Sequence, residues 1–306
     1  MPGPFGDVPA FEAVSRDGVP LALFEVLPVT GADDSAEPAS STLAAETGSG
    51  GSTGAARPPA LLLVHGATAD HTTWRTAGPA FAERRRVLAI DRRGRGASGD
   101  GQAYAIEREY EDVAAAAEAI VDATGAPIDV VGHSYGGRVS LGASLRSRAI
   151  RRLVVYEGAP VPAGMSYRPP GMVEAVRGAL DRGDNEAALA TFLAGIVGMS
   201  EAALDAYRAD PVWPTRVAAA PTILREVEAE GSAAASLDAL GGVTAPVLLL
   251  LGSISRSPFR IGTDELAARL ADVRVVTITG AAHAAHHTHA ADFVRAVEAF
   301  LDEGAR

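Results

Sequence analysis

The stretch from Pro127 to Gly137, P-I-D-V-V-G-H-S-Y-G-G, limits what this chain can fold into more than any other. It reads as an apolar strand, a sharp turn with Ser134 at its apex, and a helix that begins at Tyr135. Glycines on both sides of the serine allow a turn so tight that larger side chains would clash with the strand and the helix. The spacing G-x-S-x-G therefore predicts a nucleophile elbow, in which the serine hydroxyl is exposed above a sheet.

The same spacing occurs a second time, at residues 50–54. No apolar strand precedes this copy, and the surrounding tract is rich in Gly, Ser and Thr. Because a motif needs its structural context, we interpret it as flexible linker. It lies within residues 28–59, which lack apolar periodicity and are predicted to form a disordered or poorly ordered surface insertion.

Charge and composition exclude several classes of function. The formal net charge of −11 disfavours binding to nucleic acid or to an anionic membrane. The chain contains no cysteine, which excludes disulfides, thiolate metal sites and a cysteine nucleophile. Neither a secretory signal nor the ~20 apolar residues of a membrane span are visible, which predicts a soluble cytoplasmic protein. Two arginine clusters, at residues 84–86 and 92–95, are interpreted as solvated charges of loops and helix ends.

Hydrophobic periodicity predicts alternating strands and helices through most of the chain, which favours a doubly wound, mostly parallel sheet. The predicted strands are 11–15, 19–26, 61–64, 86–90, 128–131, 152–156, 247–251 and 273–278, and the helices between them 77–83, 107–123, 135–145, 264–270 and 291–301. After the sixth strand the alternation is interrupted by four predicted helices, at 171–180, 185–197, 200–209 and 221–230. We therefore predict an α/β core, residues 1–160 and 243–306, with a helical cap at 161–242.

Four segments, in this order along the chain, resemble the α/β-hydrolase superfamily. They are His65-Gly66-Ala67 after a strand, the loop D-R-R-G-R-G-A-S-G at residues 91–99, the Ser134 elbow, and G-A-A-H at residues 280–283 before a terminal amphipathic helix. The sequences of these segments are most similar to those of capped serine esterases and lactonases. The resemblance implies the α/β-hydrolase fold with a helical cap after the sixth strand, and a triad of serine, histidine and an acid.

Serine catalysis needs a base that takes the hydroxyl proton, an acid that orients the base, and donors for the oxyanion. The resemblance assigns the nucleophile to Ser134 and the base to His283, with His286, His287 and His289 as competitors in the same loop. A metal site at these four histidines is disfavoured, because their spacing is irregular and carboxylates are scarce nearby. No metal and no cofactor are expected.

The acid departs from the commonest pattern of the superfamily. Most members place an aspartate after the strand predicted at 247–251, but the loop here, G-S-I-S-R-S-P-F, contains no carboxylate. Glu157 follows the preceding strand, from which some members supply the acid, and it is the predicted third member of the triad. Asp264 is expected to lie too far away, and Asp91 and Asp129 are weaker candidates within a structural loop and a strand.

The resemblance also implies the residues around the reacting atoms. The backbone N–H groups of Ala67 and Tyr135 are the predicted oxyanion hole. The candidate substrate-binding residues are His65, Gly66 and Trp213. A structural role is the alternative for His65, and a place in the cap's own core is the alternative for Trp213. Further cap residues expected to wall an apolar pocket, unless they form the cap's own core, are Phe192, Leu193, Met199 and Tyr207.

The predicted function is hydrolysis of a carboxylic ester or lactone, a small molecule, through an acyl-enzyme. Ser134 argues against epoxide hydrolases and haloalkane dehalogenases, which have an aspartate at the elbow. Carbon–carbon bond hydrolases and perhydrolases use the same triad, so they stay open as alternatives, as does a non-catalytic hydrolase-like binding protein. No nucleic-acid or membrane partner is expected, and the sequence leaves the oligomeric state open.

Overall fold

The computed structural model describes residues 3–6, 8–28 and 58–303. The predicted insertion at 28–59 lies outside these residues except at its two ends, and the second G-x-S-x-G copy lies wholly outside them. No helix within the described ranges is long and apolar enough to cross a membrane.

Eight strands form one sheet. They are β1 (Phe11–Val14), β2 (Pro20–Glu25), β3 (Leu61–Val64), β4 (Val87–Ile90), β5 (Ile128–His133), β6 (Ile150–Tyr156), β7 (Val247–Gly252) and β8 (Val273–Ile278). Their spatial order is β1-β2-β4-β3-β5-β6-β7-β8. The pairs β1–β2 and β2–β4 are antiparallel, whereas β3 to β8 are all parallel. This is the mostly parallel sheet that the sequence predicted, and the carboxyl ends of β5, β6 and β8 share one edge.

Helices cover both faces of the sheet and fill the long connection between β6 and β7. They are α1 (Gly78–Ala82), α2 (Ile106–Thr124), α3 (Tyr135–Ser144), α4 (Met172–Asp181), α5 (Asn185–Phe192), α6 (Glu201–Arg208), α7 (Trp213–Ala218), α8 (Ile223–Ala229), α9 (Leu237–Leu240), α10 (Ser257–Ala267), α11 (Ala285–Thr288) and α12 (Ala290–Leu301). A π-helical turn, Leu193–Val197, continues α5.

The central strands are apolar along their whole length because both of their faces are covered. In β3, Leu62 and Val64 pack in a cluster with residues of α2 and α3. Leu61 and Leu63 point to the opposite face and pack in a second cluster with residues of α1 and α12. Successive side chains of a strand alternate between faces, so one short run of four apolar residues contributes to two cores.

The residues between β6 and β7, 161–242, are here called the helical insertion. It contains α4 to α9 and buries an apolar cluster of its own, which includes Val176, Leu189 and Ile223. The sequence predicted its place after the sixth strand, but not α7 and α9. These helices have six and four residues, too few to show a helical period.

Two further helices differ from the prediction. Helix α10 begins at Ser257, whereas the sequence pattern placed its start at Asp264. Pro258 lies in its first turn, where the fixed φ of proline suits a helix start, so the proline marks the helix and not the loop. The one-turn helix α11 follows His283 in the segment predicted as a loop.

The interpretation of the arginine clusters as solvated charges is wrong for four residues. Arg85, Arg92, Arg93 and Arg95 are all buried. Each pairs with carboxylates; Arg92, for example, has both Glu109, at 2.7 Å, and a glutamate of the helical insertion within ion-pair distance. These arginines are therefore buried as ion pairs between the sheet and the helices that cover it.

Candidate active site

The elbow between β5 and α3 places a serine at a strained backbone position. Ser134 has φ 54° and ψ −123°, outside the regions that residues with a Cβ normally adopt. A Cβ at Gly132 would lie 2.6 Å from the Cα of Gly137, and one at Gly136 would lie 2.2 Å from the carbonyl oxygen of His65. Only glycine fits at these two positions, and the turn they permit projects Ser134 from the edge of the sheet.

Three side chains that the sequence singled out form one hydrogen-bonded row. The Oγ of Ser134 lies 2.9 Å from Nε2 of His283, and Nδ1 of the same ring lies 2.6 Å from Oε2 of Glu157. Glu157 and His283 are buried. In the neutral ring, Nδ1–H donates to the carboxylate, which leaves Nε2 to accept the serine proton.

Glu157 is held by the loop that follows β7. Its other oxygen, Oε1, accepts the N–H of Gly252 at 2.8 Å and the hydroxyl of Ser255. Its backbone has φ 49°, in the left-handed region, and its N–H donates to the carbonyl of Leu250. The loop after β7 therefore contributes hydrogen-bond donors instead of a carboxylate, and these donors fix the direction of the Glu157 side chain.

The ring of His283 is held from other directions as well. His133 donates from Nε2 to the carbonyl of His283 at 2.8 Å, and Phe259 stacks on the His283 ring at 4.3 Å between centroids. The hydroxyl of Tyr156 donates to the carbonyl of Ala282. Contacts on the backbone and on the ring face together restrict how the imidazole can turn.

Backbone donors lie beside the serine. A Cβ on Gly66 would lie 3.1 Å from the Cβ of Ser134, which shows how closely this loop approaches the elbow. Ala67, Tyr135 and Ser134 line a small common cavity of about 40 Å³. Within the part of the chain that the structure describes, the N–H groups of Ala67 and Tyr135 donate to no protein acceptor. Both are therefore available to an oxygen atom bound beside Ser134.

A larger cavity of about 350 Å³ opens on the other side of Ser134. The sheet contributes Gly66, His133 and His283 to its wall. Four residues of the helical insertion that were expected there do line it: Phe192, Leu193, Met199 and Tyr207. Ser134 and His283 thus face a largely apolar space between the sheet and the helical insertion.

Sequence and fold comparisons agree on the family. The sequence profile of the Alpha/beta hydrolase family matches residues 61–296. The chain belongs to the alpha/beta hydrolase family.

Solved structures of such hydrolases superpose on nearly the whole chain. An alpha/beta hydrolase from Sphaerobacter thermophilus is 26% identical with a TM-score of 0.70, covering 94% of this chain and 100% of that one. A hydrolase from Pseudomonas aeruginosa is 25% identical with a TM-score of 0.68, covering 95% and 97%. The enol-lactonase from Burkholderia xenovorans, at 20% identity and a TM-score of 0.65, shares the fold over 96% and 100%.

Two candidate substrate-binding residues of this hydrolase lie away from the larger cavity. His65 is fully buried, and its Nε2 accepts the N–H of Arg92 at 3.1 Å while Nδ1–H donates to the carbonyl of Gly66 at 2.9 Å. Trp213 packs edge-on against Tyr207 in the apolar cluster of the helical insertion. For both residues these contacts favour the structural alternative: His65 braces the loop beside the serine, and Trp213 packs behind the residues that line the cavity.

Two of the three competing histidines, His286 and His287, line the cavity and take no part in the hydrogen-bonded row, whereas His289 is not among the cavity-lining residues. Burial lowers the pKa of His286 well below its usual value, and burial followed by the charge of Arg75 lowers that of His287 to about 4. Both rings line the cavity, and His287 contacts the hydroxyl of Thr73 at 3.3 Å. No cluster of three or more His, Cys, Asp or Glu residues suited to a metal ion occurs in the described ranges.

The cavity wall also contains charged residues that the sequence did not predict. Arg75, Asp210 and Arg216 line the cavity together with the residues named above. Arg216 lies on α7, the short helix that periodicity did not reveal, so nothing marked it as facing a pocket. Asp91 and Asp129, the weaker acid candidates, are buried elsewhere; Asp91 accepts the N–H of Ala97 at 2.9 Å in its own loop.

Proposed function

We propose that this hydrolase cleaves a carboxylic ester or lactone through an acyl-enzyme, with Ser134 as nucleophile, His283 as base and Glu157 as acid. The observation that carries the proposal is the continuous row from Ser134 to Glu157, bonded at 2.9 Å and 2.6 Å, at the wall of an apolar cavity. Residues 161–242 act as the cap that closes this cavity from above.

In the first half of the reaction, Nε2 of His283 accepts the proton as Oγ of Ser134 attacks the carbonyl carbon. The carbonyl oxygen becomes an oxyanion, which the N–H groups of Ala67 and Tyr135 stabilise. Glu157 stabilises the imidazolium that forms. His283 then donates the proton to the departing alkoxide oxygen, and the acyl group stays on Ser134.

In the second half, a water molecule takes the place of the alcohol. His283 removes its proton as the water oxygen attacks the acyl carbon, and the same N–H groups stabilise the second oxyanion. The proton returns to Oγ of Ser134 as the carboxylic acid leaves. In a lactone the alcohol and the acid belong to one molecule, so the product is a single hydroxy acid.

The bond between His283 and Glu157 argues against a non-catalytic binding protein. That alternative drew its support from the missing aspartate after β7, and Glu157 supplies a carboxylate to the base in its place. A small second cavity beside Ser134, about 40 Å³, offers room for one water molecule next to the acyl carbon. The esterase and lactonase relatives in the family are in line with this chemistry.

A fluorophosphonate probe tests the proposal directly. We expect it to label Ser134 in the wild type and to leave Ser134→Ala unlabelled. Ser144→Ala, which removes a serine at the far end of α3, is the control and should be labelled at Ser134 like the wild type. Incubation with p-nitrophenyl butyrate should then give an acyl adduct on Ser134 in the mass spectrum. A folded wild type that takes neither label would contradict the proposal, and labelling without ester or lactone turnover would favour carbon–carbon bond hydrolysis.

A further inference from the structure

A buried guanidinium faces the substrate cavity from the helical insertion. Arg216 of α7 lines the cavity that contains Ser134, and its side chain is only 2% exposed. Much of the neighbouring wall is apolar, including Leu193, Val197 and Met199. A charged group in such surroundings costs free energy unless acceptors satisfy its hydrogen bonds.

The protein satisfies Arg216 only in part. Nε donates to the hydroxyl of Tyr207 at 3.2 Å, and Nη1 donates to the carbonyl of Thr68 at 3.5 Å and to Oδ1 of Asp70 at 3.3 Å. These distances are long for bonds from a charged donor, which usually measure about 2.7–2.9 Å. In the described ranges Nη2 has no acceptor, and the hydroxyl hydrogen of Tyr207 has none either.

The nearby carboxylates are already engaged. Oδ1 of Asp70 also accepts the N–H and the hydroxyl of Thr72. Asp210 pairs with Arg75 at 2.8 Å, and its second oxygen accepts the N–H of Val212 at 3.0 Å. Arg75, another arginine in this cavity wall, pairs with Asp210 at 2.8 Å and is partly exposed, whereas the buried Arg216 has its carboxylate partner at 3.3 Å. The charge of Arg216 is therefore the less closely paired of the two, and its Nη2 is left to donate to a ligand.

We propose that this part of the cavity binds a carboxylate carried by the substrate, through Nη2 of Arg216 and the hydroxyl of Tyr207. A planar guanidinium matches a carboxylate better than it matches any neutral acceptor. The apolar wall suits a methylene chain between that carboxylate and the reacting carbonyl. The substrate class is then a half-ester of a dicarboxylic acid, or a lactone that bears a carboxylate; this step rests on the ester or lactone hydrolysis proposed above.

The test compares two esters that differ only in charge. The mono-p-nitrophenyl ester of adipic acid and its terminal amide have the same length and the same leaving group. At pH 7.5 the wild type should hydrolyse the acid with a kcat/KM ~10- to 100-fold above that for the amide, the range expected for a charged hydrogen bond. Arg216→Gln should remove this preference, so that kcat/KM for the acid and for the amide become equal within about threefold. Arg177→Gln, on the exposed surface of α4, is the matched control and should keep the preference.

The alternative role of Arg216 gives a different result. Because Nη1 contacts the carbonyl of Thr68, next to the proposed oxyanion donor Ala67, the arginine could act only by positioning that loop. In that case Arg216→Gln would lower kcat for both esters equally, which would overturn the proposal. Arg216→Lys, which keeps a charge beside Asp70, should retain the fold and lose most of the preference, since an ammonium lacks the planar fork.

A binding measurement separates this proposal from the proposed reaction. Titration of Ser134→Ala with monomethyl adipate and with its terminal amide, followed by calorimetry, needs no turnover. Tighter binding of the acid, lost in the Ser134→Ala/Arg216→Gln double variant, would support the carboxylate site even if the wild type hydrolysed neither ester. Equal affinity for the two probes would refute it even if ester hydrolysis were established.

Discussion

The two sides of the cavity are built in different ways. On the sheet side, Ser134, Glu157 and His283 each follow the carboxyl end of a parallel strand, and backbone groups of neighbouring strands fix them. On the opposite side, the helical insertion contributes side chains from α5 to α7 and has an apolar core of its own. We therefore expect the proposed chemistry to depend on the sheet side and the selectivity for substrate to depend on the helical insertion.

A buried ionic cluster joins the two sides. Glu226 of α8 accepts from Arg92 and from Arg95, each at 2.6 Å, and Arg92 also pairs with Glu109 of α2. All four side chains are buried. The helical insertion is therefore tied to the sheet by charges on the loop that follows β4, close to the elbow.

The largest expected effect tests the sheet side alone. His283→Ala should lower kcat by at least about 10⁴-fold with the fold intact, because the nucleophile then has no base. His289→Ala, in the same segment but outside the cavity wall, should stay within about twofold of the wild type. Steady-state hydrolysis of p-nitrophenyl butyrate measures both. Comparable losses in the two variants would mean that the segment as a whole, and not His283, is required.

Glu157→Gln should have the next largest effect. The amide keeps the shape but can present the wrong hydrogen-bonding group to Nδ1 of His283, and a comparable change in a serine protease costs about 10⁴-fold in kcat. Ser255→Ala, which removes one donor to the same carboxylate, should cost only about tenfold or less. Turnover of Glu157→Gln at the wild-type rate, with unchanged circular dichroism, would refute the assignment of the acid.

The buried ionic cluster between the two sides is tested by Glu226→Gln. The amide can still accept a hydrogen bond, but Arg95 loses its charged partner and Arg92 keeps only Glu109, so the free energy of unfolding should fall by about 3 kcal/mol. Glu228→Gln, on the same helix but in an exposed pair with Arg177, should change it by less than about 1 kcal/mol. Urea denaturation gives both values. Equal stability of the two variants would show that the ionic cluster does not hold the helical insertion in place.

His287, on the sheet-side wall facing the insertion, gives a pH test. Its pKa of about 4 lies below the 6.5 of an exposed histidine, so between these values the unfolded chain binds the proton and the folded chain does not. This contribution to stability is present above pH 6.5 and is lost as the pH falls. From pH 7 to pH 5, His287→Gln should lose about 2 kcal/mol less than the wild type in urea denaturation. If the free energies of unfolding of the two proteins changed with pH in parallel, the lowered pKa of His287 would be contradicted.

The smallest effect tests the insertion side. Met199→Ala should raise KM for p-nitrophenyl hexanoate about tenfold and leave kcat unchanged for the acetate, because it removes only apolar contact with the acyl chain. Met165→Ala, also in the helical insertion but outside this cavity wall, is the control and should leave KM unaltered. A fall in kcat for both esters would show that the insertion also positions the reacting groups, which would weaken the contrast between the two sides.

Much of the sheet side could be read from the sequence because its signals are local. The elbow is formed by neighbouring residues of the sequence. Gly132 and Gly136 are required there because a Cβ at either position would clash with backbone atoms. The apolar runs of β3 and β7 predict buried parallel strands by themselves. The choice of Glu157 rested on the absence of a carboxylate after β7 and on the resemblance to the superfamily, in which some members supply the acid from the preceding strand. The Glu157 side chain lies 2.6 Å from His283.

The features that the sequence did not predict, buried charges and cavity-lining side chains, depend on contacts between residues far apart along the chain. Arg92 reads as a solvated charge in its loop, and its burial is set by Glu226, 134 residues later. In the same way, the cavity role of Arg216 and the supporting role of Trp213 depend on how a six-residue helix docks, which no local period encodes. The sequence by itself determined the sheet and the residues proposed to react, because tight turns and strand ends are local. Only the tertiary structure decided which charges are buried and which side chains line the cavity, because a charge is stable inside a protein only where distant partners meet it.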